Sequence, residues 1–194
     1  MKRYIIIDGL DGSGKSTQAE LLTAFLRKKN RITFLRIHPT DDCFLGRRAR
    51  KFLLCSGKNA HFCAAFFYMC DVLRSIAVYS GGKFDFIIFV RYLMGTAYLP
   101  TTLHRIGYHF FSLIVPKSNL MFFLDVSPSE AYRRSILRGK PLEMFETIEK
   151  LEKIRKKALA LALEDNWIII NTDKPIEEAQ SRIRQFILQE LKTT

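Results

Sequence analysis

A glycine-rich segment near the amino terminus constrains the fold of this chain more than any other feature. Residues Gly9–Ser16 read Gly-Leu-Asp-Gly-Ser-Gly-Lys-Ser and fit the pattern GxxxxGK[ST] at every fixed position. The run Tyr4–Asp8 before it is apolar and β-branched, which predicts a strand buried on both faces. The residues from Lys15 to about Lys29 place apolar side chains on one helical face. A strand, this loop and a helix in that order predict a phosphate-binding loop.

The residue types in this loop have separate chemical reasons to be there. Glycines allow positive φ and bring the backbone close to phosphate oxygens. Successive N–H groups, together with the positive end of the following helix, then attract an anion. We expect Lys15 to reach the β- and γ-phosphates of ATP and the hydroxyl of Ser16 to ligate Mg²⁺. The predicted nucleotide-binding residues are Gly9, Asp11, Gly12, Ser13, Gly14, Lys15, Ser16 and Thr17.

Strands alternate with helices along the rest of the chain. The predicted strands are Tyr4–Asp8, Arg31–Ile37, Phe84–Val90, Asn119–Asp125 and Trp167–Asn171. The predicted helices are Lys15–Lys29, Phe44–Leu54, Ala60–Tyr79, Pro128–Arg138 (with Ser127 as its N-cap), Leu142–Leu163 and Pro175–Leu191, and a loop is expected after Arg91. This alternation predicts one α/β domain over residues 1–194, a doubly wound and mostly parallel five-stranded sheet with helices on both faces. Ligands of such sheets bind at the carboxyl ends of the strands.

The charge balance indicates an affinity for anions. The chain has 31 Lys and Arg against 19 Asp and Glu, a net charge of +12. Nucleotides, nucleic acid and anionic membranes are compatible with this charge, and so is a charge that serves only solubility. The sequence shows no RNP, helix-turn-helix or zinc-finger pattern, so a nucleic-acid partner has no support from a motif.

Localisation is predicted from what precedes and interrupts the first strand. No signal-peptide core precedes that strand, and the runs Phe84–Val90, Leu120–Leu124 and Trp167–Ile170 are too short to span a bilayer. We therefore expect a cytoplasmic protein without a membrane segment. The cysteines form no CxxC pair, which favours reduced thiols over a metal centre.

Several segments, taken in order, resemble one enzyme family. They are Asp8–Gln18, His38-Pro39 with Gly46, Phe89–Tyr92, Ala97-Tyr98, Phe123–Pro128 with Ala131 and Arg133-Arg134, and Leu151–Leu161 with Ile154-Arg155. These segments resemble the thymidylate kinases, which are P-loop nucleoside monophosphate kinases, and the chain resembles a divergent archaeal-type member of that family.

The resemblance implies transfer of the ATP γ-phosphoryl group to dTMP, with Mg²⁺ as cofactor. It implies catalytic roles for Lys15, Arg91, Arg134 and Arg138, and acceptor contacts from Asp8, Pro39, Tyr68 and Arg91. It also implies a basic lid at about residues 133–143 over ATP, and a homodimer formed through the Phe- and Met-rich helices. Because Gly12 leaves the loop without the Arg found in some members, Arg134 or Arg138 is expected to supply that charge. The same basic run is also compatible with a solvated helix face.

The chain departs from the family pattern at five positions. Val90 stands where the family has Asp in Asp-Arg-Tyr, and Val72 where an Arg reads the base. Ala158 replaces a Tyr, and Gly95 replaces a Ser. Tyr68 takes the place of a stacking Phe, although an aromatic residue there is equally compatible with simple core packing. The phosphate machinery is thus mostly present, while recognition of the thymine is open.

Other functions remain as alternatives. One is a kinase for another nucleotide or for a deoxynucleoside, but a neutral hydroxyl acceptor needs a general base, which Val90 cannot provide. Another is an ATP-binding module with reduced or lost catalysis and a nucleic-acid or protein partner. Val72 and Val90 favour the module, whereas Lys15, Ser16 and Arg91 favour the kinase.

Overall fold

A fully parallel sheet forms the centre of the computed structural model, which describes residues 3–55, 57–139 and 147–192. Its strands are β1 (Arg3–Gly9), β2 (Thr33–Ile37), β3 (Phe86–Val90), β4 (Met121–Asp125) and β5 (Ile168–Asn171), in the order β2-β3-β1-β4-β5. Each neighbouring pair is parallel. The predicted five-stranded α/β sheet is therefore confirmed.

Helices cover both faces of this sheet. They are α1 (Lys15–Lys28), α2 (Phe44–Leu53), α3 (Lys58–Tyr79), α4 (His104–Ile114), α5 (Pro128–Leu137), α6 (Ile148–Glu164) and α7 (Ile176–Lys192). Strand side chains alternate between the faces: Ile6 and Phe123 join one apolar cluster with residues of α3 and α6, and Ile7 and Leu124 join another with α1 and α7. This is the doubly wound arrangement that the sequence predicts.

The strand order brings the chemically important segments together. The central strand β1 lies between β3 and β4, with Ile7 beside Val90 and Gly9 beside Leu124. The glycine-rich loop, the segment after β3 and the segment after β4 therefore leave the same edge of the sheet.

The segment between β3 and β4 differs from the prediction of a loop. It contains a short 3-10 helix, Met94–Tyr98, and then α4. Gly95 and Gly107 lower the helix propensity of this segment, and several apolar side chains of α4 lie on the surface.

The starts of two helices can be compared with the predictions. The helix α6 begins at Ile148, where the hydroxyl of Thr147 caps it by accepting the N–H of Lys150 at 3.4 Å. Residues 140–146, which include the predicted start at Leu142 and part of the expected lid, lie outside the described residues. The helix α5 begins at Pro128 with Ser127 as its N-cap, as predicted, although the Ser127 hydroxyl donates to Asp173 at 2.8 Å and makes no side-chain cap.

One helix qualifies the exclusion of a membrane span. By length and composition alone, the window Phe62–Tyr79 of α3 is apolar enough to cross a bilayer, with a mean hydropathy of 1.4 and 33% of it buried. Core helices of soluble proteins meet the same criterion, so the finding is weak. The short apolar runs on which the prediction of no membrane segment rests do not include this helix.

Candidate active site

The glycine-rich loop has a conformation that only glycine accommodates. Gly12 has φ 81°, and a Cβ there would lie 2.4 Å from the carbonyl oxygen of Ala131. The amide of Ser13 donates to the carbonyl of Leu10 at 3.1 Å, while the buried Ser13 hydroxyl has no partner among the described residues. A buried hydroxyl without a protein partner fits a loop that contacts a ligand.

Lys15 lies inside the loop. Its ammonium donates to the carbonyl oxygen of Gly9 at 2.9 Å and to that of Leu10, and it lies 3.8 Å from the carboxylate of Asp11. The side chain is 4% exposed. The loop thus holds a cation at its centre, where the carbonyl oxygens stand in for an anionic ligand.

A cleft of about 570 Å³ opens beside the loop. Its lining comes from the loop, from α5 and from the segment after β5, and it consists of Ser13, Gly14, Thr17, Gln18, Glu130, Arg133, Arg134 and residues 172–177 and 179. We call it the loop cleft. Three of the predicted nucleotide-binding residues, Ser13, Gly14 and Thr17, lie here.

Arg134 is the arginine of α5 that contacts the loop. Its guanidinium donates to the carboxylate of Glu130 at 2.7 Å, to the carbonyl of Thr172 at 2.8 Å and to that of Gly12 at 3.4 Å. Arg138 is exposed at the end of α5 and does not line the cleft. The sequence predicts that Arg134 or Arg138 supplies positive charge beside the loop. In the structure, Arg134 is the one of the two that contacts the loop.

A second pocket lies at the carboxyl ends of β1 and β3. Its lining consists of Asp8, Gly9, Asp11, Pro39, Leu53, Ala64, Ala65, Tyr68, Arg91, Gly95, Tyr98 and Leu99. We call it the strand-end pocket. The structure brings together here the residues expected to contact the acceptor, which are Asp8, Pro39, Tyr68 and Arg91. Gly9 and Asp11, predicted to bind the nucleotide, also face this pocket.

The buried Asp11 and the half-buried Arg91 form an ion pair in the lining of the strand-end pocket. The guanidinium of Arg91 donates to the Asp11 carboxylate at 2.9 Å, and the hydroxyl of Tyr98 donates to the same carboxylate at 2.7 Å. Burial raises the pKa of Asp11, but Lys15 and Arg91 outweigh it and hold that pKa well below its usual range. Asp11 is thus an ionised group placed between two cations.

The backbone of Arg91 is unusual. Its φ is 59°, in the left-handed region that favours glycine, and its N–H donates to the carbonyl of Ile7 at 3.1 Å. A non-glycine residue in this region is strained and is retained where its surroundings fix it. The conformation turns the chain sharply after β3 and aims the arginine at Asp11.

Asp8 serves the backbone. Its carboxylate accepts N–H groups from Gly9 at 3.0 Å, Tyr92 at 2.8 Å and Met94 at 2.9 Å. Burial raises the pKa of Asp8, while these donors and Lys15 act in the opposite direction. Asp8 lines the strand-end pocket, and two of the hydrogen bonds that it accepts fix the segment after β3.

The valines that depart from the family pattern lie in the core. Val90 is fully buried in the cluster beneath α1, and Val72 is fully buried in the cluster beneath α3. Neither lines the strand-end pocket. Arg74 does not replace the missing base reader, because its guanidinium lies 3.9 Å from Asp42, on the other side of α3.

Tyr68 packs directly on Gly95 in the lining of the strand-end pocket. A Cβ on Gly95 would lie 2.7 Å from the ring of Tyr68. The Tyr68 hydroxyl is buried without a partner among the described residues, and burial raises its pKa well above the usual value. The ring thus occupies space that a side chain at position 95 would need.

The described residues contain no group of three or more His, Cys, Asp or Glu side chains that could hold a metal ion. Ser16 begins the first turn of α1 and is half-buried. Mg²⁺ binds with few protein ligands when substrate phosphates and water complete its shell, so Ser16 fits such a site.

Some residues that line the two cavities are not among the site residues predicted from the sequence. Thr172 and Asp173 line the loop cleft and directly follow β5, so the rule about strand ends could have found them. Leu53, Ala64 and Leu99 line the strand-end pocket, but nothing in their type distinguishes them from core residues.

Comparison with known proteins identifies the relatives of the chain. The family model described as thymidylate kinase matches residues 7–183. A probable thymidylate kinase of Sulfurisphaera tokodaii is 27% identical, covering 99% of both chains. A thymidylate kinase of Plasmodium falciparum is 29% identical, covering 93% of this chain and 87% of its own. The solved thymidylate kinase of Candida albicans has a TM-score of 0.76 at 22% identity, covering 97% of this chain and 92% of its own.

Proposed function

The chain belongs to the thymidylate kinase family, and we propose that it transfers the γ-phosphoryl group of ATP to dTMP, giving ADP and dTDP. The observation that carries the proposal is the position of Lys15, Asp11 and Arg91. They form one cluster, with Lys15 and Asp11 buried and Arg91 half-buried, which joins the loop to the lining of the strand-end pocket. Two anionic substrates, one in each cavity, would bring their reacting phosphates to that cluster.

The loop side of the site suits ATP. The backbone N–H groups of the loop and the start of α1 would hold the phosphates, and Lys15 would exchange its carbonyl partners for β- and γ-phosphate oxygens. Arg134 reaches the carbonyl of Gly12, so it would add positive charge beside the loop. Arg138, on the expected lid, remains the second candidate for that role.

Ser16 would hold Mg²⁺, which when bound supplies positive charge to the β- and γ-phosphates of ATP. In this chain the γ-phosphate is then positioned by Lys15 and the loop. The carboxylates of Asp8 and Asp11 both accept hydrogen bonds from protein groups.

The strand-end pocket suits the acceptor monophosphate. Arg91 would bind the acceptor phosphate, and a guanidinium can do so through two hydrogen bonds. The attacking group is already an anionic oxygen, so the reaction needs no strong base. The burial of Val90 in the core is therefore compatible with phosphoryl transfer. Tyr68 and Pro39 would contact the rest of the acceptor.

The wider setting follows from the family. We propose a cytoplasmic enzyme without a membrane segment that forms a homodimer. The homodimer would use the exposed apolar side chains of α3 and α4, among them Phe62, Phe66 and Phe110. A nucleic-acid partner has only the net charge of +12 in its favour.

The test is ADP release from ATP·Mg²⁺ by the purified protein with dTMP, dUMP, UMP, CMP, AMP, GMP or thymidine as acceptor. We expect turnover with dTMP. Turnover with another monophosphate only would keep the reaction and reassign the acceptor. ATP binding without turnover on any acceptor would contradict the proposal and favour the non-catalytic module.

The matched controls for this test are two lysine variants of α1. We expect Lys15→Ala to lower kcat by roughly 10²- to 10³-fold, because a charge aimed at the transferring phosphate is lost. Lys28→Ala, at an exposed position of the same helix, should keep full activity. Equal activity of the two variants would remove the loop from the catalytic centre.

A further inference from the structure

The wall between the strand-end pocket and the outside of α3 is a single layer of residues. A second cavity, of about 310 Å³, lies on the other side of that wall between α3 and α4. Four residues line both cavities: Ala65, Tyr68, Gly95 and Leu99. Anything that fills the outer cavity therefore touches the side chains that shape the strand-end pocket.

The outer cavity belongs to a continuous apolar face. Phe62 and Phe66 of α3, and Ile106, Phe110 and Leu113 of α4, are each more than half exposed. No charged side chain lines the cavity in the part of the chain that the structure describes. The five side chains expose on the order of 600 Å² of apolar surface, at the upper end of what a soluble monomer ordinarily leaves in its largest patch, and such patches are often binding surfaces.

A second copy of this chain is the occupant that fits this face. A standard interface covers roughly 800 Å² on each partner, which is close to the exposed apolar area. Aromatic side chains and an absence of charge at the centre are typical of homodimer interfaces. In a twofold dimer each copy would present the same two helices to the other, so both outer cavities would be filled together.

We infer that dimerisation completes the acceptor site, because the partner's side chains fill the outer cavity and hold Tyr68 against Gly95. This inference rests on the proposed function and adds a regulation of its acceptor site. Tyr68 has no hydrogen bond from its hydroxyl to hold it in place among the described residues. Its position is set by packing, and on its outer side that packing is incomplete in a single copy. The loop cleft shares none of these residues, so ATP binding is independent of the partner.

The experiment measures binding of dTMP and of ATP by the full chain across its dimer–monomer equilibrium. We expect the Kd for dTMP to weaken about tenfold or more as the wild-type protein is diluted from dimer to monomer, while the Kd for ATP changes less than twofold. By linkage, saturating dTMP should tighten the dimer Kd by the same factor per bound site. Sedimentation velocity gives the oligomeric state in both conditions.

A variant and its matched control test the same point without dilution. Leu113→Glu places a charge in the apolar face but outside both cavity linings, and should give a monomer with weakened dTMP binding and normal ATP binding. Leu163→Glu makes the same change at an exposed leucine of α6 and should stay dimeric with normal dTMP binding.

Three results would overturn the inference. One is a monomeric Leu113→Glu with wild-type dTMP affinity, and another is a wild-type protein that stays monomeric at 100 times the concentration used for dTMP binding. The third is a wild-type monomer that co-sediments with phosphatidylcholine vesicles, because lipid would then cover the face. A wild-type dimer that binds ATP but no dTMP would instead overturn the proposed function, and this inference with it.

Discussion

At the scale of single residues, the buried carboxylates of the site differ in what occupies them. Asp8 accepts three backbone N–H groups, those of Gly9, Tyr92 and Met94. Asp11 instead meets side chains, among them Arg91. A group held by side chains can exchange partners when a ligand arrives, whereas one held by the backbone fixes the fold. Asp11 is therefore the carboxylate that a bound acceptor can influence.

Arg91 yields a prediction about the acceptor. Arg91→Lys keeps the charge but loses the planar pair of donors, so we expect the KM for dTMP to rise about tenfold with the KM for ATP unchanged. Steady-state kinetics with each substrate varied would measure this. Arg105→Lys, at an exposed ion pair with Glu164, is the control and should leave both constants unchanged. A rise in the KM for ATP alone would move Arg91 to the other substrate.

His38 yields a prediction about pH. Burial lowers its pKa to about 4 from an ordinary value near 6.5, against the opposing charge of Asp71. Between pH 6.5 and 4 the unfolded chain therefore binds a proton at His38 that the folded chain does not bind. The free energy of unfolding falls as the pH drops across this range, by up to about 3 kcal/mol. Replacing His38 with Phe should flatten this part of the curve of unfolding free energy against pH. An unchanged slope would contradict the assignment.

At the scale of elements, two helices tie the loop cleft to the sheet. The guanidinium of Arg155 on α6 binds the Asp125 carboxylate at the end of β4 through two hydrogen bonds of 2.7 and 2.8 Å. Arg134 on α5 reaches the loop and the residue after β5. These contacts hold α5 beside the loop. All of the residues that make them lie in the described ranges, so the contacts do not involve residues 140–143 of the expected lid.

The two arginines at the end of α5, Arg134 and Arg138, are expected to contribute differently to catalysis. We expect Arg134→Ala to lower kcat by roughly 10²-fold, since it removes a charge beside the transferring phosphate. Arg138→Ala should cost less than Arg134→Ala, because Arg138 does not line the loop cleft. Arg182→Ala, on the exposed side of α7, is the control for loss of a surface arginine. A larger loss in Arg138→Ala would assign the charge to Arg138.

The elements also show which parts of the fold can be predicted from the sequence. The strands and the loop were predictable because continuous apolar runs and a fixed glycine pattern are local signals. The 3-10 helix and α4 were not, since Gly95 and Gly107 interrupt their pattern. Leu53 and Leu99 could not be predicted as pocket residues, because their place depends on how α2 and the 3-10 helix meet in space.

At the scale of the whole molecule, both apolar clusters share the same sheet, so the described chain should unfold as one unit. Trp167, the only tryptophan, is buried just before β5 and reports on the cluster beneath α6. We expect its fluorescence and the circular dichroism to change in one coincident transition. Two separate transitions would contradict the single domain.

ATP is expected to stabilise the folded chain. At about 100 times its Kd it should add roughly 2.7 kcal/mol to the free energy of unfolding.

The contact between Tyr68 and Gly95 also limits how this protein can change over evolutionary time. A side chain at position 95 would meet the ring at 2.7 Å, so a lineage can gain one there only if the ring at position 68 shifts. The family pattern pairs a serine with an aromatic ring at these positions, so the ring itself need not be lost. The two positions are therefore expected to vary together among descendants.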